Sequence, residues 1–395
     1  MLIAGETSGD MLAAELVKAL RAASPAPLEF FGAGGSKMAE AGVDLAIDMT
    51  VHSVIGLIEA LKSYSHFKKI FHQLLQLAAK RKPDVIVCVD FSGFNRRFAH
   101  GVREFIRNNP GSVGDWNPKI VQYVSPQVWA SRPSRAEKMA RDIDLLLCIF
   151  PFEKDWYAKR VPDLRVEFIG HPIVERHAGF TNGDLRLTRE SSGDASIVNR
   201  KSQILLLPGS RVGELKRHLP VMLEAVKQIS AKHDVRFKMI LPDSNLKDLA
   251  DRLSALLPNI EIQIGGLAET LSQATLAIAS TGTVTLECAY FGVPTIAIYK
   301  TSWSTYQIGK RIVQVKFLAM PNLLANEMVF PEFIQDDATA ENISREAIAL
   351  LSHPKRRDEI KSKLAKIVES LGTRGASERA AKAILSLSMA GGERR

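Results

Sequence analysis

The chain has 395 residues, 46% hydrophobic and 24% charged, a length beyond which one core stops growing, so two domains with the composition of an ordinary soluble protein are expected. It holds no run of about 18 uncharged apolar residues and no basic leader with a cleavage pattern, so neither a spanning helix nor a secretory signal is expected, and a cytoplasmic location is. The net charge of +9 admits nucleic acid, an anionic membrane surface or anionic small substrates, and does not choose among them.

The first element is the strand "MLIA", followed by the loop "GETSGD" and the amphipathic helix "MLAAELVKALRAA". Ser8 or Asp10 is a natural cap for that helix. Glu6 precedes the cap and is not needed by it, which leaves a ligand contact open. The spacing is not that of a dinucleotide-binding glycine loop. Residues 62–82, "KSYSHFKKIFHQLLQLAAKRK", combine Tyr64, Phe67, Ile70, Phe71, Leu74 and Leu75 with Lys62, Lys68, Lys69, Lys80, Arg81 and Lys82. That stripe suits a crossover helix packed on its sheet; a basic, aromatic face for a membrane is the alternative.

"VIVCVDFSGFN" sets Asp90 at the end of an apolar strand, with Asn95 in the same loop. A carboxylate there either faces a ligand or caps the next turn. After the strand "IVQYVS" comes "SPQVWASR", where Ser125, Gln127 and Trp129 offer hydrogen bonds and an aromatic platform, or a turn with a packed indole. In "RDIDLLLCIF" the pair Asp142 and Asp144 resembles a metal-binding Asp-x-Asp, but it precedes its strand and reads as a strand-entry turn. His171 in "FIGHP" is read as structural. Cys88, Cys148 and Cys288 lie in apolar runs and read as reduced core thiols, not as disulfides or metal ligands. The polar segment 176–201 marks a hinge.

From Ile204 the alternation restarts. "ILLLPGSRVGEL" is strand, turn and helix, and its free amides with Gly209, Ser210 and Arg211 make an anion site. "ASTGTVTLECAYFGVP" repeats the arrangement: Ser280, Thr281, Gly282 and Thr283 open a helix, and Glu287 follows one turn later on the same face. A diphosphate on the helix start and a ribose hydroxyl on Glu287 would fit one nucleotide. Residues 302–320, "SWSTYQIGKRIVQVKFLAM", are a second, weaker candidate for membrane contact. Helices run from "ENISREAIALL" onward, and "MAGGERR" reads as a disordered tail. Continuous apolar strands alternating with helices imply parallel sheets covered on both faces. The expected fold is α/β, with two doubly wound domains facing each other across a cleft, at 1–175 and 202–390.

Nine stretches, taken in order, resemble the lipid-A-disaccharide synthases: "AGETSGD", "GAGGSKMAEAG", "VDFSGFN", "YVSPQVWA", "FPFEKDWY", "FIGHP", "LLPGSRVGEL", "STGTVTLECAYFGVP" and "MPNLLANEMVFPEFIQ". The resemblance implies the GT-B fold of two Rossmann-like domains. It implies an inverting transfer that joins UDP-2,3-diacylglucosamine to 2,3-diacylglucosamine 1-phosphate (lipid X), forms the β-1,6-linked lipid A disaccharide and releases UDP. Carried over by motif, the functional residues are Glu6, Asp90, Arg211 and Asn322, with the nucleotide on "PGSR" and the "STGTVTLE" helix. Asp90 is the expected base and Glu6 the reserve. Ser8, Asp10, Asn95, Ser125, Gln127 and Trp129 fall on the acceptor side, and Asn322 joins the donor residues. No cofactor, metal or nucleic acid is implied, and an anionic inner-membrane surface is a candidate partner on the cytoplasmic face. The family usually has Pro-Asp at Ser92-Gly93 and Trp at Ser131, and Met1 falls inside its first strand. A UDP-sugar epimerase on the same scaffold, and a binding protein that has lost catalysis, are the alternatives.

Overall fold

The computed structural model describes residues 1–49, 59–179, 201–254 and 260–389, with the side chains of 59–65, 308 and 388–389 set aside. Most of the expected hinge, Lys62, Tyr64 and the last residues of the expected tail therefore lie outside the described residues or side chains. The chain forms two compact units, Met1–Glu175 with Leu371–Arg395, and Arg176–Ser370.

The first unit holds a seven-stranded parallel sheet in the order β3-β2-β1-β4-β5-β6-β7. Its strands are β1 (Leu2–Ala4), β2 (Phe31–Gly34), β3 (Asp44–Asp48), β4 (Val85–Val89), β5 (Lys119–Tyr123), β6 (Leu145–Cys148) and β7 (Arg165–Phe168). Alternate residues of one strand enter opposite cores: Ile86 and Cys88 of β4 pack in one apolar cluster, Val87 and Val89 in the other. A strand buried on both faces has no polar positions to show, which is why these segments read as unbroken apolar runs. Helices α1 (Thr7–Ala23), α2 (Ser36–Glu40), α3 (Glu59–Arg81), α4 (Ser92–Asn108), α5 (Pro110–Val113), α6 (Val128–Ser131), α7 (Arg135–Asp142), α8 (Pro151–Ala158) and α9 (Ile173–Arg176) connect them.

Two readings of this unit are decided by packing. Along α3, Ile70, Leu74 and Ala78 are buried, and Phe67 and Phe71 pack on Phe91, Phe94 and Phe98. The apolar stripe, from Phe67 on, belongs to the core, while Lys68 and Lys69 are exposed. The last helix, Ala376–Met389, does not stay with the second domain as the division at 202–390 requires. It lies against α1, burying Ala380, Ala381, Ile384 and Leu387 with Leu12, Leu16 and Leu20.

The second unit holds a six-stranded parallel sheet, β10-β9-β8-β11-β12-β13, with β8 (Gln203–Leu207), β9 (Arg236–Leu241), β10 (Ile260–Ile264), β11 (Leu276–Ser280), β12 (Thr295–Tyr299) and β13 (Glu332–Ile334). In each unit the strand order reverses once, between β1 and β4 and between β8 and β11. At such a point the following loops part to opposite sides and leave a crevice at the carboxyl edge. Among the described residues no helix is long and apolar enough to cross a membrane.

Candidate functional site

In the first unit the loops after β1 and β4 meet at the reversal point. Asp90 and Phe91 leave β4 with φ of 48° and 41°, a left-handed conformation that costs a non-glycine residue roughly 1–3 kcal/mol and concentrates at functional sites. The surroundings hold them there. The Phe91 ring lies over Gly5 so closely that a Cβ on Gly5 would come within 2.2 Å of it. Asn95, fully buried, directs its amide nitrogen at the carbonyls of Ile3 (3.3 Å), Val89 (3.1 Å) and Asp90 (2.9 Å). It fastens the ends of both strands. Asp90 itself is half-buried, and desolvation raises its carboxyl above the usual range against a lowering hydrogen bond from the Phe91 backbone. The first turn of α1 adjoins it, with a Cβ placed on Gly9 falling 3.7 Å from the Asp90 Cβ.

The cap assignment for α1 is corrected. The helix begins at Thr7 with Glu6 in the cap position, and no side chain caps it. Asp10 is buried one turn inside and accepts hydrogen bonds from the backbone of Gly35 (2.8 Å), Lys37 (2.9 Å) and Met38 (3.1 Å), so it caps α2 instead. Glu6 and Ser8 are exposed. On the loop after β5, Ser125 and Trp129 are buried and only Gln127 is open. Trp129 donates to Glu153 Oε1 at 3.0 Å and packs edge-on against Phe152, so the indole is a packed side chain and not a platform. Asp144 accepts from the Ile120 backbone at 2.7 Å and pairs with Arg103, and Asp142 meets His100, the work of a strand-entry turn. His171 accepts from the Ile173 backbone at 3.1 Å and lies against Phe150. Cys88, Cys148 and Cys288 are buried and unbridged.

The second unit carries a pocket of about 540 Å³ at the carboxyl edge of β8 and β11. Gly209, Ser210, Arg211, Ser280, Thr281, Gly282, Thr283 and Glu287 all line it. Gly209 turns at φ 121° and Gly282 at φ 138°; in the first turn of the helix Thr283–Tyr290 the Thr285 amide donates to Gly282 O at 3.1 Å, and the amides ahead of it, of Thr283 and Val284, have no helical carbonyl to bond. Glu214 accepts from the Ser210 backbone at 3.0 Å and lies 3.6 Å from the largely exposed Arg211. Glu287 is half-buried. Desolvation raises its carboxyl, and Arg176 opposes the shift.

Asn322 departs from the donor assignment. It is fully buried and does not line the pocket; its amide donates to Phe330 O and Glu332 Oε1, both at 2.7 Å, and accepts from Val329 and Phe330. Its side chain holds the approach to β13. Two buried residues at these edges escaped the sequence reading. Glu153 ties Trp129 to the start of α8, and its burial pushes the carboxyl up to about 7. His218 bridges Pro208 O at 2.8 Å and the Lys300 backbone at 3.0 Å. A glutamate at the third position of a helix beginning "FP" was the available sign for the first. Nothing local marks the second.

Two parallel sheets that each reverse once, with a pocket at one reversal, define the class of two-domain α/β proteins with the GT-B fold. Solved structures of that shape include a putative UDP-N-acetylglucosamine 2-epimerase from Listeria monocytogenes, with TM-score 0.65 and 15% identity over 98% of this chain and 95% of that one. A glycosyltransferase from Rickettsia africae is similar at TM-score 0.55 and 13% identity, over 98% and 97%. Sequence narrows the class. The lipid-A-disaccharide synthetase family profile matches residues 1–386. The lipid-A-disaccharide synthase of Geobacter sulfurreducens is 34% identical over 98% of this chain and 96% of its own length. Lipid-A-disaccharide synthase 1 of Legionella pneumophila strain Lens is 35% identical over 94% and 93%. The chain belongs to the lipid-A-disaccharide synthase family and is a hexosyltransferase.

Proposed function

We propose that the chain joins UDP-2,3-diacylglucosamine to 2,3-diacylglucosamine 1-phosphate, releasing UDP and forming the β-1,6-linked disaccharide. The observation that carries this reading is the pocket of about 540 Å³, whose lining brings together the three donor elements expected from sequence: Gly209–Arg211, Ser280–Thr283 and Glu287. Glu287 takes a ribose hydroxyl of the donor. The diphosphate lies on the first amides of the helix Thr283–Tyr290, with Arg211 supplying two parallel hydrogen bonds.

The chemistry then needs one base. Asp90 removes the proton from the acceptor 6-hydroxyl, and the oxygen attacks the anomeric carbon from the face opposite UDP. As the new C–O bond forms, the bond to UDP breaks, and the charge on the departing phosphate is met by Arg211 and the helix start. A carboxyl raised by burial holds its proton more firmly than an exposed one, which suits it to accept one from an alcohol. Glu6, exposed at the head of α1, is the reserve. An anionic bilayer surface, the cytoplasmic face of the inner membrane, is the proposed setting, met through charge because the described apolar stripe of α3 packs inward.

Mass spectrometry of the products of UDP-2,3-diacylglucosamine and 2,3-diacylglucosamine 1-phosphate tests the reading. The expected outcome is a disaccharide 1-phosphate with one UDP per turnover. An epimerised UDP-sugar, or no product, overturns it.

A further inference from the structure

Arg96 and Arg97 lie on the second turn of α4, just after Asp90 and Phe91, and Arg132 and Arg135 lie at the head of α7. Strands β4 and β5 are neighbours in the sheet, so the segments that follow them leave the same carboxyl edge. The two helices run side by side: His100 Nδ1 is 3.2 Å from both Asp142 carboxylate oxygens, and Arg103 Nε donates to Asp142 O at 3.1 Å. Arg96 and Arg97 lie one turn before His100 on α4, and Arg135 lies two turns before Asp142 on α7 with Arg132 three residues ahead of it, so all four fall toward the starts of the paired segments. Arg135 registers this company. Its pKa is lowered, first by desolvation and then by the charges of Arg132, Arg96 and Arg97.

None of these four guanidinium groups has an ion pair or a hydrogen bond among the described residues. Arg103, two turns along α4 from Arg96, shows the contrast: it donates to Asn117 Oδ1 at 2.9 Å and Pro118 O at 3.1 Å and pairs with Asp144. Like charges brought together repel, and an anion shared by several of them lowers that repulsion. The space for one is present. Ser92 and Gly93 are exposed at the start of α4, and a Cβ on Gly93 would meet nothing within 4 Å. The helix start adds open amides and a partial positive charge.

We propose that Arg96, Arg97, Arg132 and Arg135 form a phosphomonoester site that holds the phosphate of the sugar acceptor beside Asp90. The assignment rests on the transfer reading above. Arg96 stands four residues beyond Ser92, about 6 Å of helix rise, roughly the width of one sugar ring from the loop that carries the base. A dianionic phosphate offers several acceptor oxygens to forked donors, which neutral sugar hydroxyls do not. Phospholipid phosphates share this chemistry, but four guanidinium groups gathered next to the base suit one bound phosphate better than a sheet of them.

The test compares the full-length wild type with Arg132→Ala/Arg135→Ala and Arg135→Lys in detergent micelles, using 2,3-diacylglucosamine with and without its 1-phosphate as acceptor. The expected result is a KM for the phosphorylated acceptor raised tenfold or more in the double variant. Its kcat should change less than threefold, UDP affinity should stay at the wild-type value, and the preference for the phosphorylated acceptor should be nearly lost. Arg135→Lys should fall between. Unchanged KM in the folded double variant overturns the site. So does unchanged KM with weakened binding to phosphatidylglycerol vesicles, which assigns the cluster to the bilayer instead. Should the double variant not fold, Arg135→Lys with unchanged KM and preference overturns it by itself. If the wild type transfers to neither acceptor, the transfer reading falls, and the phosphate site with it.

Discussion

Asp90 takes a backbone conformation that a non-glycine residue rarely adopts, and its carboxyl is raised by burial, so it can be tested as a base without disturbing the turn. Asn has nearly the same shape and shares the tolerance for left-handed φ. Asp90→Asn should therefore fold, bind UDP normally and lose roughly a hundredfold to ten-thousandfold in turnover. Normal turnover would move the base to Glu6. In the donor pocket, Arg211→Ala should weaken UDP binding by roughly 10- to 100-fold through loss of charge-assisted hydrogen bonds, and Glu287→Ala by about fivefold; calorimetry reads both. Glu153 offers a prediction in pH. Its folded pKa of about 7 lies above the ordinary 4.5, so the folded state holds the extra proton between those values. The stability this confers is present in full below pH 4.5 and is lost as pH rises through 7, by about 3 kcal/mol for a shift of this size. Glu153→Gln should flatten that decline in denaturant melts run from pH 4.5 to 8, and parallel curves would refute the assignment. Which residues were legible follows from their partners. Asp90 and Arg211 sit at the end of a strand and the start of a helix, with Glu287 one turn inside its own helix, and those positions place them at the carboxyl edges of the sheets. Asp10, Trp129 and Asn322 look equally placed, but their partners are backbone or side-chain groups of other segments, which no local pattern announces.

Among the elements, α3 shows how one stripe can carry two meanings. Aromatic and basic residues at helical spacing suit either a sheet or a membrane. The decision came from Phe91, Phe94 and Phe98, whose rings receive Phe67 and Phe71. What the helix still offers to an anionic surface is charge. Each lysine near such a surface is worth about 1 kcal/mol, so Lys68→Glu with Lys69→Glu should weaken binding to phosphatidylglycerol vesicles at least tenfold at low salt. UDP affinity should not change, and the difference should shrink as salt rises. Equal vesicle binding by both proteins would leave α3 as a core helix alone. The strands were the most legible elements, since two-sided burial writes itself as an unbroken apolar run. Helix starts were the least: Ser8 and Asp10 both have cap chemistry, yet the helix begins before either.

At the scale of the molecule the two sheets follow from the alternation of strands and helices, but the path of the chain's end does not. The helix Ala376–Met389 follows the helices of the second unit without a break in pattern, and its partner α1 lies more than 350 residues earlier. Three-dimensional contact, not sequence proximity, assigns it to the first unit. Ala380, Ala381, Ile384 and Leu387 bury against α1, and Arg379 donates to Ile169 O at 2.7 Å. Burying Ile384 and Leu387 alone is worth roughly 1.5–3 kcal/mol each, and their removal would also uncover Leu12, Leu16 and Leu20. That loss is comparable with the whole stability of a typical domain, about 5–15 kcal/mol. Ending the chain at Ser370 should therefore unfold the first unit and abolish transfer. The second unit keeps its core, since all the strands and helices around the pocket lie within Arg176–Ser370. The truncated chain should still bind UDP by calorimetry and melt with one transition, where the full chain contains two folded units. A truncated protein that retains transfer would show that α1 and the first sheet stand without the returning helix; one that loses UDP binding as well would show that the two units do not fold independently.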